Sequence, residues 1–154
     1  MRTSFEIIIA GTSCLILLDK LDLLTLFQSL NKPTFISPEV KEEFDFPFPE
    51  YIQVKQSKPD LFIKYLSLNI GKGEASSLAL CEESENAIAI IDDLKARKIA
   101  KQQNINYSGT LGLLLAAYRK GIIKDMNDVI EKIQKTNFSI SKKIIEILRQ
   151  EINK

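Results

Sequence analysis

The 154-residue sequence contains no histidine. That single absence removes Ser-His-Asp and Cys-His catalysis, histidine proton shuttling and histidine metal ligation. Cysteine is nearly as scarce: Cys14 and Cys81 stand far apart in apolar stretches. Two such thiols make no zinc pattern and read as buried side chains in a reducing cytoplasm, not as a disulfide. Excess charge is missing too. The 21 basic and 20 acidic residues leave a net charge of +1, so any nucleic-acid surface has to be a local patch. Long hydrophobic runs are also lacking. Ile7-Ile8-Ile9-Ala10 is too short to span a bilayer, Glu6 interrupts the apolar start, and no cleavage signal follows. Neither a membrane span nor a signal peptide is therefore expected.

What is present fits one globular domain over residues 1–154, with a hydrophobic content of 45%. The acidic residues are the remaining supply of metal ligands. As hard oxygen donors they favour Mg²⁺ or Mn²⁺ over zinc.

Along the chain, short apolar runs alternate with helical spacings. Phe5 to Ala10 reads as a buried strand running into Gly11-Thr12-Ser13. Leu15, Leu18, Leu21, Leu24 and Phe27 keep helical spacing, broken near Asp19, Lys20 and Asp22, which predicts two short helices. Thr34 to Ser37 is a second strand, and Ser37-Pro38 opens a short helix to Phe44. An edge strand over Tyr51 to Lys55 and a helix over Asp60 to Leu68 follow. Gly71-Lys72-Gly73 then turns into a helix over Glu74 to Glu83. Ala87 to Ile91 is the most apolar short run, ending in Asp92-Asp93 and a helix to about Gln103. A short strand over Ile105 to Ser108 leads through Gly109-Thr110 to a helix ending before Gly121. The C-terminal helices cover about 125–153, with Asp125 capping one and Ser139 or Ser141 the other. This alternation predicts an α/β fold: a mostly parallel sheet with helices on both faces. Ligands in such folds bind beyond the carboxyl ends of the strands, where Gly11 and Asp92-Asp93 should share one crevice.

Two adjacent carboxylates at a strand end are costly unless a divalent cation or basic groups neutralise them. Asp93 alone can equally cap the helix that follows it. Glu74 also suits the dipole of a helix start, and Glu42 and Glu43 suit a solvated helix face. Lys95, Arg97, Lys98 and Lys101 read either as a solvated face or as contacts to phosphate. Gly71-Lys72-Gly73 lacks the spacing of a phosphate-binding loop. A receiver-type phosphoacceptor at Asp92 or Asp93 would need an order of Asp, Thr and Lys after successive strands that the chain does not present.

Five segments in this order resemble a PIN-domain protein of the compact prokaryotic DUF3368 branch. They are Thr12-Ser13-Cys14-Leu15-Ile16, the run from Ser37 to Glu43, and Gly71-Lys72-Gly73-Glu74-Ala75. Asp92-Asp93-Leu94-Lys95-Ala96-Arg97-Lys98 and Gly109-Thr110-Leu111-Gly112 complete the set and are the most specific. The resemblance implies a single-domain three-layer α/β/α sandwich, with a core over about 5–121. It also implies a metal-dependent endoribonuclease using Mg²⁺ or Mn²⁺. RNA ranks ahead of DNA as substrate, and a toxin role with an antitoxin partner and homodimerisation are implied as well. Carried over residue by residue, the acids are Glu43, Glu74 and Asp93, with Asp92 as a further ligand. Thr12, Ser13 and Thr110 support them, and Lys95 and Arg97 contact nucleic acid. The first acid of the family falls on Gly11, which cannot ligate; natural loss and engineered inactivation both account for it. The chain is therefore expected to cut poorly or not at all while keeping its fold. A non-catalytic PIN-like module that binds RNA or a partner protein is the alternative.

Overall fold

In the computed structural model, Ile7–Ala10 (β1) and Ala87–Ile90 (β4) lie side by side at the centre of a sheet, paired from Ile7–Ala87 to Ala10–Ile90. Both runs are apolar because both faces of a parallel strand are covered. Their side chains divide with a period of two. Ile8, Ala10, Ile88 and Ile90 enter one core, while Ile9, Ala87, Ala89 and Ile91 enter the other. The structure describes residues 5–154; residues 1–4, which the expected domain includes, lie outside the described residues.

Thr34–Ile36 (β2) pairs with β1, and Ile52–Val54 (β3) pairs with β2. Tyr107–Ser108 (β5) pairs with β4. The order β3-β2-β1-β4-β5 is parallel throughout, so the expected mostly parallel sheet is wholly parallel among the described residues. The chain builds outward from β1 to β3, then crosses to the other side of β1 for β4. That reversal opens a crevice at the carboxyl ends of β1 and β4.

One helical layer holds Thr12–Lys20 (α1), Leu26–Ser29 (α2), Pro38–Glu43 (α3) and Thr110–Arg119 (α7). Met126–Gln134 (α8) and Lys142–Ile152 (α9) complete it. The other layer holds Pro59–Leu66 (α4), Lys72–Glu83 (α5) and Leu94–Gln102 (α6). Asp22, with φ of 55°, sits in the break between α1 and α2 and accounts for the two short helices there. α1 starts at Thr12 and α5 at Lys72, each slightly earlier than expected from apolar spacing alone, because Gly11 and Gly71 take the extended cap conformation. Ser141, not Ser139, caps α9, accepting a bond from the Ile144 N–H at 3.2 Å.

Small residues set the spacing of the second layer. Ala75, Leu78 and Ala79 of α5 share one core with Ala87 and Ala89 of the sheet. Cys14 and Cys81 are buried and unlinked; burial pushes the Cys81 thiol up to about 12. Among the described residues, no helix is long and apolar enough to cross a membrane. Leu78, with no exposed surface, should lose about 2–5 kcal/mol on Leu78→Ala by urea denaturation. Leu94, 79% exposed, should change by less than about 0.5 kcal/mol on Leu94→Ala.

Candidate active site

At the crevice, the Gly11 N–H donates to the Ile90 carbonyl at 3.0 Å, which carries the β1–β4 contact one residue beyond the strands. The approach is close: a Cβ on Gly11 would stand 2.8 Å from that same carbonyl oxygen. Gly11 itself has an ordinary extended φ of −87°, so sterics and not backbone strain favour glycine here. A cavity of about 20 Å³ opens here, lined by Gly11, Thr12, Ser13, Gly73, Glu74, Ile90, Ile91, Asp92 and Asp93. That volume holds about one water molecule or one small ion.

The adjacent carboxylates Asp92 and Asp93 have separate roles. Asp92 reaches across to α7, where Oδ1 accepts from the Thr110 N–H at 2.9 Å and Oδ2 from the Thr110 hydroxyl at 2.5 Å. The N-cap of α7 is Gly109, which offers no side-chain acceptor, so Asp92 serves the helix start from a distant point of the chain. Arg97 closes the same arrangement. Its Nε donates to the Ile91 carbonyl at 2.9 Å, and Nη2 lies 3.4 Å from Asp92 Oδ1. It fits because Gly109 has no side chain: a Cβ there would collide with the guanidinium. Arg97 is thus engaged in an internal contact at the sheet edge. Beneath this arrangement, Cys14 is wholly buried, and burial followed by the charge of Asp92 pushes its thiol up.

Asp93 caps α6 through Oδ2, which accepts from the Ala96 N–H at 2.8 Å, and is exposed. The capping role anticipated for it is therefore present. Its Oδ1 makes no hydrogen bond among the described residues, and Asp93 is one of the residues that line the crevice. Lys95 is also exposed and donates to the Asn69 carbonyl at 3.0 Å.

The other acids stand on the opposite wall. Glu43 ends α3, and Glu74 lies in the first turn of α5. Glu43 presses against Gly73, where any Cβ would occupy the position of Glu43 Oε1. Burial, then the charge of Glu74 and more weakly that of Glu42, raise the Glu43 pKa. The Thr12 side chain and the Gly73 backbone partly offset this. The Thr12 hydroxyl oxygen is itself buried without a hydrogen-bond partner at bonding geometry. It lies beside Gly73, as Glu43 does, and Thr12 lines the cavity.

A buried hydroxyl pair sets the relation of α3 to α5. Ser37 Oγ accepts from the Val40 N–H at 3.0 Å, and Ser76 Oγ donates to it at 2.7 Å. Ser76 also lies 3.0 Å from the Gly73 carbonyl. Ser37 is legible in sequence as a cap. Its partner 39 residues away is not, although a serine among alanines on a buried helix face is the kind of residue that has to find one.

The site residues anticipated from sequence therefore fall into two groups flanking Gly11. Thr12, Glu43 and Glu74 lie on one side, and Asp92, Asp93, Thr110 and Arg97 on the other. Among the described residues, no group of three or more Cys, Asp or Glu side chains is assembled to hold a metal ion. The position between the two groups belongs to Gly11. The donor set is nonetheless chemically suited to Mg²⁺ or Mn²⁺. These ions take one or two carboxylates and complete their shell with water and substrate oxygens. The Thr12 hydroxyl, buried and short of a full hydrogen bond, adds one more oxygen to that set.

Glu43 supplies a pH test. Its raised folded pKa means the native state holds a proton that the unfolded chain has released, so this contribution to stability falls as pH rises through the folded value. Glu43→Gln should therefore raise the melting temperature at pH 7, and the gain should vanish below the ordinary glutamate range near pH 4. Thermal melts of both proteins across about pH 3.5–7.5 check it.

A family model described as DUF3368: PIN domain matches residues 7–154. No curated protein and no solved structure matches the chain.

Proposed function

The chain belongs to the DUF3368 family of PIN domains, and from that membership and the crevice beyond β1 and β4 we propose a divalent-metal-dependent endoribonuclease of PIN type, attenuated by Gly11. PIN domains have a nuclease-type fold and generally use divalent metal ions. One observation carries the finer reading. Glu43, Glu74, Asp92 and Asp93 come from separate parts of the chain: Glu74, Asp92 and Asp93 line the crevice at the sheet's reversal point, and Glu43 stands close enough to Glu74 for their charges to interact.

In this reading Glu43, Glu74 and the open oxygen of Asp93 hold the cation, with Mg²⁺ or Mn²⁺ preferred. The bound ion would neutralise charge on a phosphodiester and lower the pKa of a water molecule. The residues of the chain do the rest. Thr12 and Ser13 present hydroxyls at the start of α1, where backbone N–H groups also favour an anion. Asp92 holds Thr110 and Arg97 in place and so fixes the wall on which Asp93 stands. Lys95, at the exposed start of α6, would contact the nucleic-acid backbone. A toxin role with an antitoxin partner protein, and pairing of two copies, belong to the same proposal and rest on family resemblance.

A second reading, a PIN-like module that binds RNA or a partner protein without cutting, is favoured by one feature. Gly11 offers no ligand, and a Cβ there would stand 2.8 Å from the Ile90 carbonyl oxygen.

Nuclease assays with Mn²⁺ separate the two. The parent chain should cut RNA weakly, and Glu43→Ala or Asp93→Ala should abolish both cutting and Mn²⁺ binding by calorimetry. Gly11→Asp should raise cutting while costing about 1–3 kcal/mol of stability from the overpacked strand contact. A parent chain as active as Gly11→Asp would sink the attenuation. Mn²⁺ binding indifferent to both acids would leave the binding module.

A further inference from the structure

Next to the crevice, a second cavity of about 170 Å³ opens between α1 and the segment joining α8 to α9. Ser13, Ile16, Leu17 and Lys20 line it from one face of α1, and Asn137 and Phe138 line it from the joining segment. Ser13 borders both cavities, so the two adjoin at the start of α1.

The rim is built before any ligand arrives. Phe138 is half-buried and packs against the core while its ring borders the cleft. Its N–H donates to Thr136 Oγ1 at 3.1 Å, and that hydroxyl donates to the Ile133 carbonyl at 2.6 Å. Lys20 Nζ donates to Asn137 Oδ1 at 2.7 Å and ties the segment to α1. Charge points the same way. Residues 135–143 include Lys135, Lys142 and Lys143 and no acid, and all three lysines are exposed, as is Lys20. In a chain of net charge +1 the joining segment is thus locally basic in sequence, and Lys20 brings one cation to the lining of an apolar, aromatic cleft.

We propose that this cleft takes one unpaired nucleobase of a single-stranded nucleic acid, from the nucleotide flanking the phosphate held at the crevice. Phe138 stacks on the base, Ile16 and Leu17 form the floor, and Lys20 stands near the backbone. A fixed aromatic face beside cations is the usual chemistry for binding single strands. A base within a duplex is stacked on its neighbours and cannot enter. RNA and DNA share this chemistry. The inference rests on the nuclease reading for the neighbouring phosphate, but it concerns binding and not cutting.

The sequence contains no tryptophan, so Phe138→Trp installs a single fluorophore at the stacking position. Single-stranded oligoribonucleotide, its deoxy counterpart and a duplex are titrated with the full chain in EDTA. Emission from the introduced indole should change with a single strand and not with the duplex, and the two single strands report which sugar is preferred. Phe138→Leu keeps apolar packing without a ring and should weaken single-strand binding about tenfold, with an unchanged melting temperature as control. A silent fluorophore, or a leucine variant that binds like the parent, overturns the proposal. Ring-dependent binding without Mn²⁺-dependent cutting would sink the nuclease reading and keep the cleft. Cutting with ring-independent binding would do the reverse.

Discussion

Everything at the crevice depends on how closely β1 and β4 approach. Their parallel pairing runs through Ala10–Ile90 and is extended by the bond from the Gly11 N–H to the Ile90 carbonyl. This contact fixes the start of α1 on one side and Asp92-Asp93 on the other. The apolar strands are held from both faces, so the strand ends have little freedom to separate. Once β1 and β4 are set, the positions of Thr12, Asp92 and Asp93 follow from the backbone.

The acidic walls are less tightly governed by the sheet. Glu43 ends a six-residue helix, and its distance from Glu74 is set by the Ser37–Ser76 hydroxyl contact. Asp92 is held by Thr110 and Arg97, both in elements that follow β4. The two groups are thus supported by separate networks meeting only at Gly11. Glu74, Asp92 and Asp93 thus border one crevice without forming a ready metal cage among the described residues.

Much of the fold was legible because its determinants are local. β1 and β4 are continuous apolar runs, Ser37-Pro38 and Asp125 are strong helix starts, and the break at Asp22 interrupts an otherwise regular spacing. The site was legible as a set of residues but not as a set of contacts. Sequence treats Asp92 and Asp93 as equals, whereas a single peptide unit sends one toward Thr110 and the other toward Ala96. Arg97 reads as an exposed base, but the small Gly109 lets it fold inward. Ser76 reads as a small packing residue, and only the crossing of α3 and α5 shows its partner. The closeness of Gly11 to Ile90 leaves no trace in composition or periodicity.

That closeness makes the position directional. A residue reduced to glycine here loses its Cβ, and the close strand contact accepts that with no further change of sequence. The step from glycine to a residue with a side chain is harder, because its Cβ would stand 2.8 Å from the Ile90 carbonyl oxygen. A reversion would have to arrive together with a relaxation of the central strand pair. Glycine at this point is easier to acquire than to leave, and lineages that pass through it would tend to retain the fold and put its crevice to other uses.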